Sequence, residues 1–152
     1  MAVKDNIIEG DSYFMAEIKS LKRLITSLDK EVPVLALIDE ILKGTNTIER
    51  IAASSAILEH GIKTNSKILV ATHDLELTQI FEDIYDNYHF TETVTDEDII
   101  FDYKLKHGPS KTKNAIKLLK VMNFDEEIVK NANENYKEFL NIKKWTKKKL
   151  AN

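Results

Sequence analysis

Two short apolar runs, each stopped abruptly by polar residues, constrain the fold of this chain more than any other feature. The first, Val32 to Ile38, passes through Pro33 and ends in Asp39-Glu40. The second, Ile68-Leu69-Val70-Ala71, ends in Thr72-His73-Asp74. Unbroken apolar character over so few residues predicts strands buried on both faces, since a half-exposed strand alternates instead. Between the runs, Gly44-Thr45-Asn46 reads as a turn. Asn46 with Glu49 resembles a capping box for a helix running to about His60, where Gly61 stops it. Strand, helix, strand in that order implies a parallel sheet with helices on its faces, and ligands bind such sheets beyond the carboxyl ends of the strands. Both polar clusters fall at such ends.

The flanking segments extend the pattern. Phe14, Ile18, Leu21, Ile25 and Leu28 recur at helical spacing, which predicts one apolar helix face beginning near Ser12. Asp74 is placed to cap a helix through about Ile84. Two strands, roughly 87–94 and 99–106, flank the acidic turn Asp96-Glu97-Asp98, and Gly108-Pro109-Ser110 closes the sheet region. A helical pair follows. Ala115, Leu118, Leu119 and Met122 share a face of its first member. Asn123 with Glu126 caps the second, with Val129, Ala132, Tyr136 and Phe139 inside.

Composition narrows the chemistry. The chain has no cysteine, so disulfides and thiolate metal sites are excluded. Its apolar stretches fall far short of the roughly 18 residues of a membrane span. The opening Met1-Ala2-Val3-Lys4-Asp5 lacks the apolar run of a secretory signal, and a cytoplasmic location is expected. The net charge of −3 hides an asymmetry. From Lys104 onward, 13 lysines stand against five acidic residues, a net +8, whereas the first 103 residues carry −11. A basic end of this kind meets nucleic acid or an acidic partner, or is a solvated helix face.

The strand-end clusters carry candidate chemistry. Mg²⁺ prefers oxygen ligands and keeps several waters, so one carboxylate of Asp39-Glu40 can hold its shell while the neighbour polarises an attacking water. Acids also end many ordinary strands because a turn begins there. His73, beside those acids, can hydrogen-bond a phosphate oxygen, although a lone histidine is often purely structural. Gly10-Asp11-Ser12 opens the first long helix, whose free N–H groups and partial positive charge suit phosphate, and simple capping is the plainer alternative. A phosphate-binding loop requires G-x-x-x-x-G-K-[ST]. The four glycines, Gly10, Gly44, Gly61 and Gly108, include no pair at that spacing, so the loop is not encoded here.

Taken in order, these segments are more specific than any one alone. Gly10-Asp11-Ser12-Tyr13-Phe14-Met15-Ala16-Glu17-Ile18 resembles the signature segment of MutS proteins, close to G-x-S-T-F-M-x-E-M. Leu37-Ile38-Asp39-Glu40-Ile41 with Gly44-Thr45-Asn46-Thr47 resembles their Walker B motif and D-loop. Ala71-Thr72-His73-Asp74-Leu75-Glu76-Leu77-Thr78 is similar to their switch-histidine segment, A-T-H-x-x-E-L-T. Gly108-Pro109-Ser110-Lys111 and the helices after it look like the family's C-terminal helix-turn-helix. The match runs from about residue 5 to residue 140.

The resemblance implies an α/β fold: a partial ABC-type P-loop ATPase sheet without its Walker A strand, followed by a helix-turn-helix. The implied division is 1–106 for the ATPase portion, 107–140 for a helix-turn-helix that packs on a partner subunit, and 141–152 for a basic tail. It also implies a homodimer that binds ATP with Mg²⁺ between subunits, coupled to DNA held by domains N-terminal to this piece. By position, Asp39 would support the metal, Glu40 would position the attacking water and His73 would contact the γ-phosphate. Gly10 and Ser12 would reach the partner's nucleotide, and Gly44, Thr45 and Asn46 would lie at the dimer junction. Without a Walker A loop the chain is expected to be inactive alone, with an unpaired edge on the His73 strand that invites association.

Asp11 and Tyr13 stand where mismatch-repair members usually have Arg and Thr, Leu42-Lys43 replaces Gly-Arg, and Asn46 replaces Ser. These departures suggest a MutS-related paralogue. Other ABC-type families, such as the recombination ATPases, share the Walker B and signature logic but not the A-T-H-x-x-E-L-T segment or the terminal helical pair. A separate reading makes the chain a non-catalytic dimerisation or DNA-interaction module built on the basic end. On that reading the chain binds duplex DNA with an affinity that falls steeply with salt; no binding in low-salt fluorescence anisotropy removes it.

Overall fold

Leu35–Asp39 (β1) and Lys67–Ala71 (β2) pair in parallel, with Leu35 opposite Lys67 and Asp39 opposite Ala71. They belong to a computed structural model that describes residues 13–29, 31–95 and 98–147. The ladder continues past both ends of the strands: Lys67 N–H donates to Val34 O at 2.8 Å and Glu40 N–H donates to Ala71 O at 2.9 Å. The chain divides into two compact units, 1–86 and 87–152.

In the first unit, Tyr13–Leu28 (α1) precedes β1, and Thr47–Ile62 (α2) makes the crossover between the parallel strands. Asn46 caps α2 as its sequence predicts, its Oδ1 accepting Glu49 N–H at 3.0 Å. Gly61 does not stop the helix, which runs to Ile62. It serves close packing instead: a Cβ there would lie 2.1 Å from Ile68 Cδ1 of β2. Leu75–Ile80 (α3) follows β2 and ends before Ile84. Asp74 precedes it without a side-chain capping bond, because Arg50 occupies its carboxylate.

The core of this unit is Leu21, Ile41, Leu42, Leu58, Leu77 and Phe81, bordered by Phe14, Ile38, Ile51, Ile57, Ile68, Val70 and Tyr85. Phe81 and Tyr85 meet edge to face, and Tyr85 Oη donates to Leu58 O at 3.2 Å. All of these contacts lie on one side of the sheet. The expectation of strands buried on both faces is therefore not met: Ala36 is buried, but Leu35, Leu37 and Leu69 on the opposite face are mostly exposed. On α1 the buried stripe is also rotated from the apolar one. Leu21 and Leu28 are inside as expected, Ile18 is exposed, and Glu17 and Ser20 are buried.

The second unit contains Tyr88–His89 (β3), Glu92–Val94 (β4), Ile99–Phe101 (β5) and Lys106–His107 (β6). β4 pairs antiparallel with β5, and β3 with β6. The two strands read from sequence are thus one hairpin interrupted in its middle. Gly108, at φ +91°, turns the chain out of β6 while its N–H donates to Asn87 O at 2.7 Å. Ala115–Val121 (α4) and Glu126–Ile142 (α5) form the expected helical pair. Asp125, not Asn123, caps α5 by accepting Glu127 N–H at 2.8 Å; Asn123 instead takes a left-handed conformation, φ +56°, that reverses the chain after α4. Trp145 stacks on Phe139 at a centroid distance of 4.4 Å. Among the described residues no helix is long and apolar enough to cross a membrane.

Parallel sheets are ordinarily covered on both faces, so the bare Leu35, Leu37 and Leu69 form a surface that gains by being covered. At tens of micromolar this chain is expected to self-associate in sedimentation velocity. Leu37→Lys should shift the distribution toward monomer, and a monodisperse unsubstituted chain would refute the expectation.

Candidate functional site

β1 and β2 end side by side, and the residues after them make the site. β1 finishes at Asp39, whose carboxylate is largely exposed. Glu40 then leaves the ladder at φ +57°, and its Oε1 lies 3.2 Å from Nε2 of His73, two residues beyond the end of β2. The histidine side chain is 95% exposed. A contact so open to water adds little stability, so it describes geometry more than it holds the fold together. Lys43 closes the cluster, with Nζ 3.4 Å from Glu40 Oε2 and 3.8 Å from Asp39 Oδ2. Desolvation pulls the Lys43 ammonium down, but the hydrogen bond to Glu40 and the charges of Asp39 and Glu40 outweigh it and hold its pKa above the usual lysine range.

The turn linking these groups is strained and buried. Leu42, like Glu40, has φ +57°, a conformation that costs a side-chain-bearing residue roughly 1–2 kcal/mol. Yet Ile41 and Leu42 are 3% and 4% exposed. Burial of a leucine is worth roughly 1.5–3 kcal/mol, enough to offset the strain. Gly44 follows where the chain must approach α1 closely: a Cβ there would lie 3.2 Å from Phe14 Cδ2. Glu17 on α1 accepts the Lys43 N–H through Oε1 at 3.2 Å.

Asp39, Glu40 and His73 are therefore brought together, with Lys43 among them. Thr45 and Asn46 make a second cluster at the start of α2, where Thr45 Oγ1 and Asn46 Nδ2 both donate to Glu49 Oε2. Gly10 and Ser12 lie outside the described residues. Among the described residues no group of three or more His, Asp or Glu is arranged to hold a metal ion.

Sequence reasoning missed three participants. Lys43 was findable, three and four residues beyond the acids. Arg50 was not: its guanidinium grips both oxygens of Asp74, 24 residues away, beside His73. Asp74 N–H in turn donates to Thr72 Oγ1 at 3.0 Å, so α2 holds the histidine segment through a part-buried ion pair. Glu17 was visible only as a letter within the signature-like segment.

The family description MutS domain V matches residues 1–140. Over 137 residues the chain is 36% identical to the DNA mismatch repair protein MutS of Aquifex pyrophilus, covering 88% of this chain and 16% of that protein. It is 34% identical over 143 residues to the DNA mismatch repair protein spellchecker 1 of Drosophila melanogaster, covering 91% of this chain and 15% of that one. With MutS of a Thermotoga species the identity is 30% over 151 residues, 97% of this chain and 18% of the relative. A two-stranded parallel α/β unit with acids and a histidine at its strand ends thus belongs, by sequence, to a known class. This chain is a member of the MutS family, within its domain V, and it spans less than a fifth of the length of these relatives.

The strain balance at Leu42 is testable. Leu42→Gly relieves the left-handed penalty but deletes a buried side chain and leaves a cavity, so a net loss of about 1–3 kcal/mol is expected in urea denaturation. A more stable Leu42→Gly variant would mean that strain, not burial, dominates the turn.

Proposed function

We propose that this chain is the C-terminal portion of an ABC-type ATPase domain in a MutS-family protein, one that couples ATP binding and hydrolysis to DNA handling in mismatch repair or a paralogous process. The observation that carries the reading is the approach of Glu40 Oε1 to His73 Nε2, 3.2 Å apart, at the carboxyl ends of two parallel strands. That is where such sheets bind ligands.

The residues present fit the implied groups. Lys43 already rests its positive charge on Asp39 and Glu40, so this pair of carboxylates attracts a cation. Magnesium asks for one or two carboxylates, with waters and phosphate oxygens completing its shell, and needs no all-protein cage. Asp39, at the exposed strand tip, would hold that shell. The ion, when bound, supplies charge neutralisation on the phosphate oxygens. Glu40 orients a water and accepts its proton at a carboxylate oxygen. His73, open to solvent beside it, donates a hydrogen bond to a terminal phosphate oxygen. Lys43, now against both carboxylates, would have to move aside for such a shell. Gly10 and Ser12 serve the nucleotide of a second copy, and Thr45 and Asn46 sit at the junction between copies, so the working unit is a homodimer. DNA is contacted by parts of the protein N-terminal to this chain.

Alone, the 152-residue chain is expected to show no ATP turnover. Joined to an upstream segment bearing a phosphate-binding loop, it should hydrolyse ATP. Glu40→Gln should then lower kcat by about 10²-fold or more while ATP stays bound. Equal turnover by the Glu40→Gln variant in a malachite-green phosphate assay would sink the assignment.

A further inference from the structure

We infer that Glu17 is a positioning residue: its buried carboxylate holds the Lys43 N–H and so fixes the strained Glu40–Lys43 turn in the conformation that aims Glu40 at His73. This rests on the reading of Glu40 and His73 as nucleotide-site groups, but the latch itself can be tested without nucleotide.

Glu17 is 6% exposed, on a helix position where an apolar side chain would pack at lower cost. Its Oε2 is buried with no hydrogen-bond partner among the described residues. A half-satisfied buried carboxylate weakens a fold, so core packing does not explain it. What explains it is Oε1, which accepts from Lys43 N at 3.2 Å. That N–H follows Glu40 and Leu42, both at φ +57°, with the buried Ile41 between them. A backbone that crosses twice into the left-handed region has no repeating hydrogen-bond pattern to hold it, and the Glu17 contact anchors its far end. One turn earlier on the same helix, Phe14 lies against Gly44. Two contacts, one polar and one apolar, therefore bind the first turns of α1 to the residues just after the acids. Through them, any displacement of α1 is passed to Glu40.

The test uses amide hydrogen exchange by NMR on the 152-residue chain. Lys43 is itself an exposed residue of that turn, yet its N–H is expected to be protected. Exchange at the unprotected rate in the unsubstituted chain would overturn the proposal with no variant needed. Glu17→Leu, similar in size but without an acceptor, should speed Lys43 exchange about tenfold, the factor expected for one hydrogen bond to a charged group. The β1–β2 ladder amides Leu37 and Leu69 should change far less. Glu17→Gln keeps an acceptor oxygen and should restore protection. Equal acceleration at Lys43 and in the ladder would reduce Glu17 to a structural residue. In the protein joined to its phosphate-binding loop, Glu17→Leu should lower kcat about tenfold with KM unchanged, because binding groups are untouched. A matched rise in KM instead would overturn the positioning role. If Glu17→Leu frees the turn while Glu40→Gln leaves turnover intact, the latch stands and the nucleotide reading falls.

Discussion

Parallel pairing of Leu35–Asp39 with Lys67–Ala71 is the constraint from which the rest of the first unit follows. Asp39 opposite Ala71 sets the last residue of each strand at the same height. Glu40 adds one more ladder bond, to Ala71 O, before its backbone turns away. Only that shared end allows a carboxylate from one strand and an imidazole from the next to meet without any intervening secondary structure. A slip of one residue would send every side chain to the other face, taking Ile38, Ile68 and Val70 out of the core that α1 and α2 build.

The core then determines how the chain leaves the sheet. Ile41 and Leu42 are among its most buried members although they belong to a turn, and their burial draws the backbone after Glu40 inward. Side chains near the site are restrained in the same way. Arg50 reaches from α2 to Asp74 and holds the segment bearing His73, while Glu17 reaches from α1 to Lys43 and holds the segment bearing Glu40. The hydrogen bond to Asp74, set against some desolvation, keeps the Arg50 guanidinium even more firmly protonated than a free arginine. Glu40 and His73 themselves stay partly or largely exposed, with only a solvent-open contact between them. Rigidity is supplied one layer behind them.

Both faces of the parallel pair are apolar in sequence, yet only one is covered in this chain. The second unit shows a related feature. Its α5 has no fully buried residue, and Ile128, Leu140 and Ile142 remain exposed along it. Apolar surface is thus left open in both units of a chain that spans less than a fifth of the length of its relatives.

Much was legible in the chain itself. The apolar runs, their polar stops and the Asn46 cap reported the strand–helix–strand order, because period, length and capping are local properties. Asp39, Glu40 and His73 could be named for the same reason: strand ends are where an α/β sheet exposes polar groups. Tertiary structure decided everything that required two distant segments to meet. It rotated the buried stripe of α1 from Ile18 to Glu17, since a carboxylate facing an unpaired N–H outranks an apolar residue there. It took Asp74 from its expected cap to Arg50, and it made Gly61 a point of helix–strand contact rather than a stop. Hydrophobic periodicity records how much apolar surface a segment offers; which neighbour meets it, and which polar group must be satisfied within, depends on partners that lie tens of residues away.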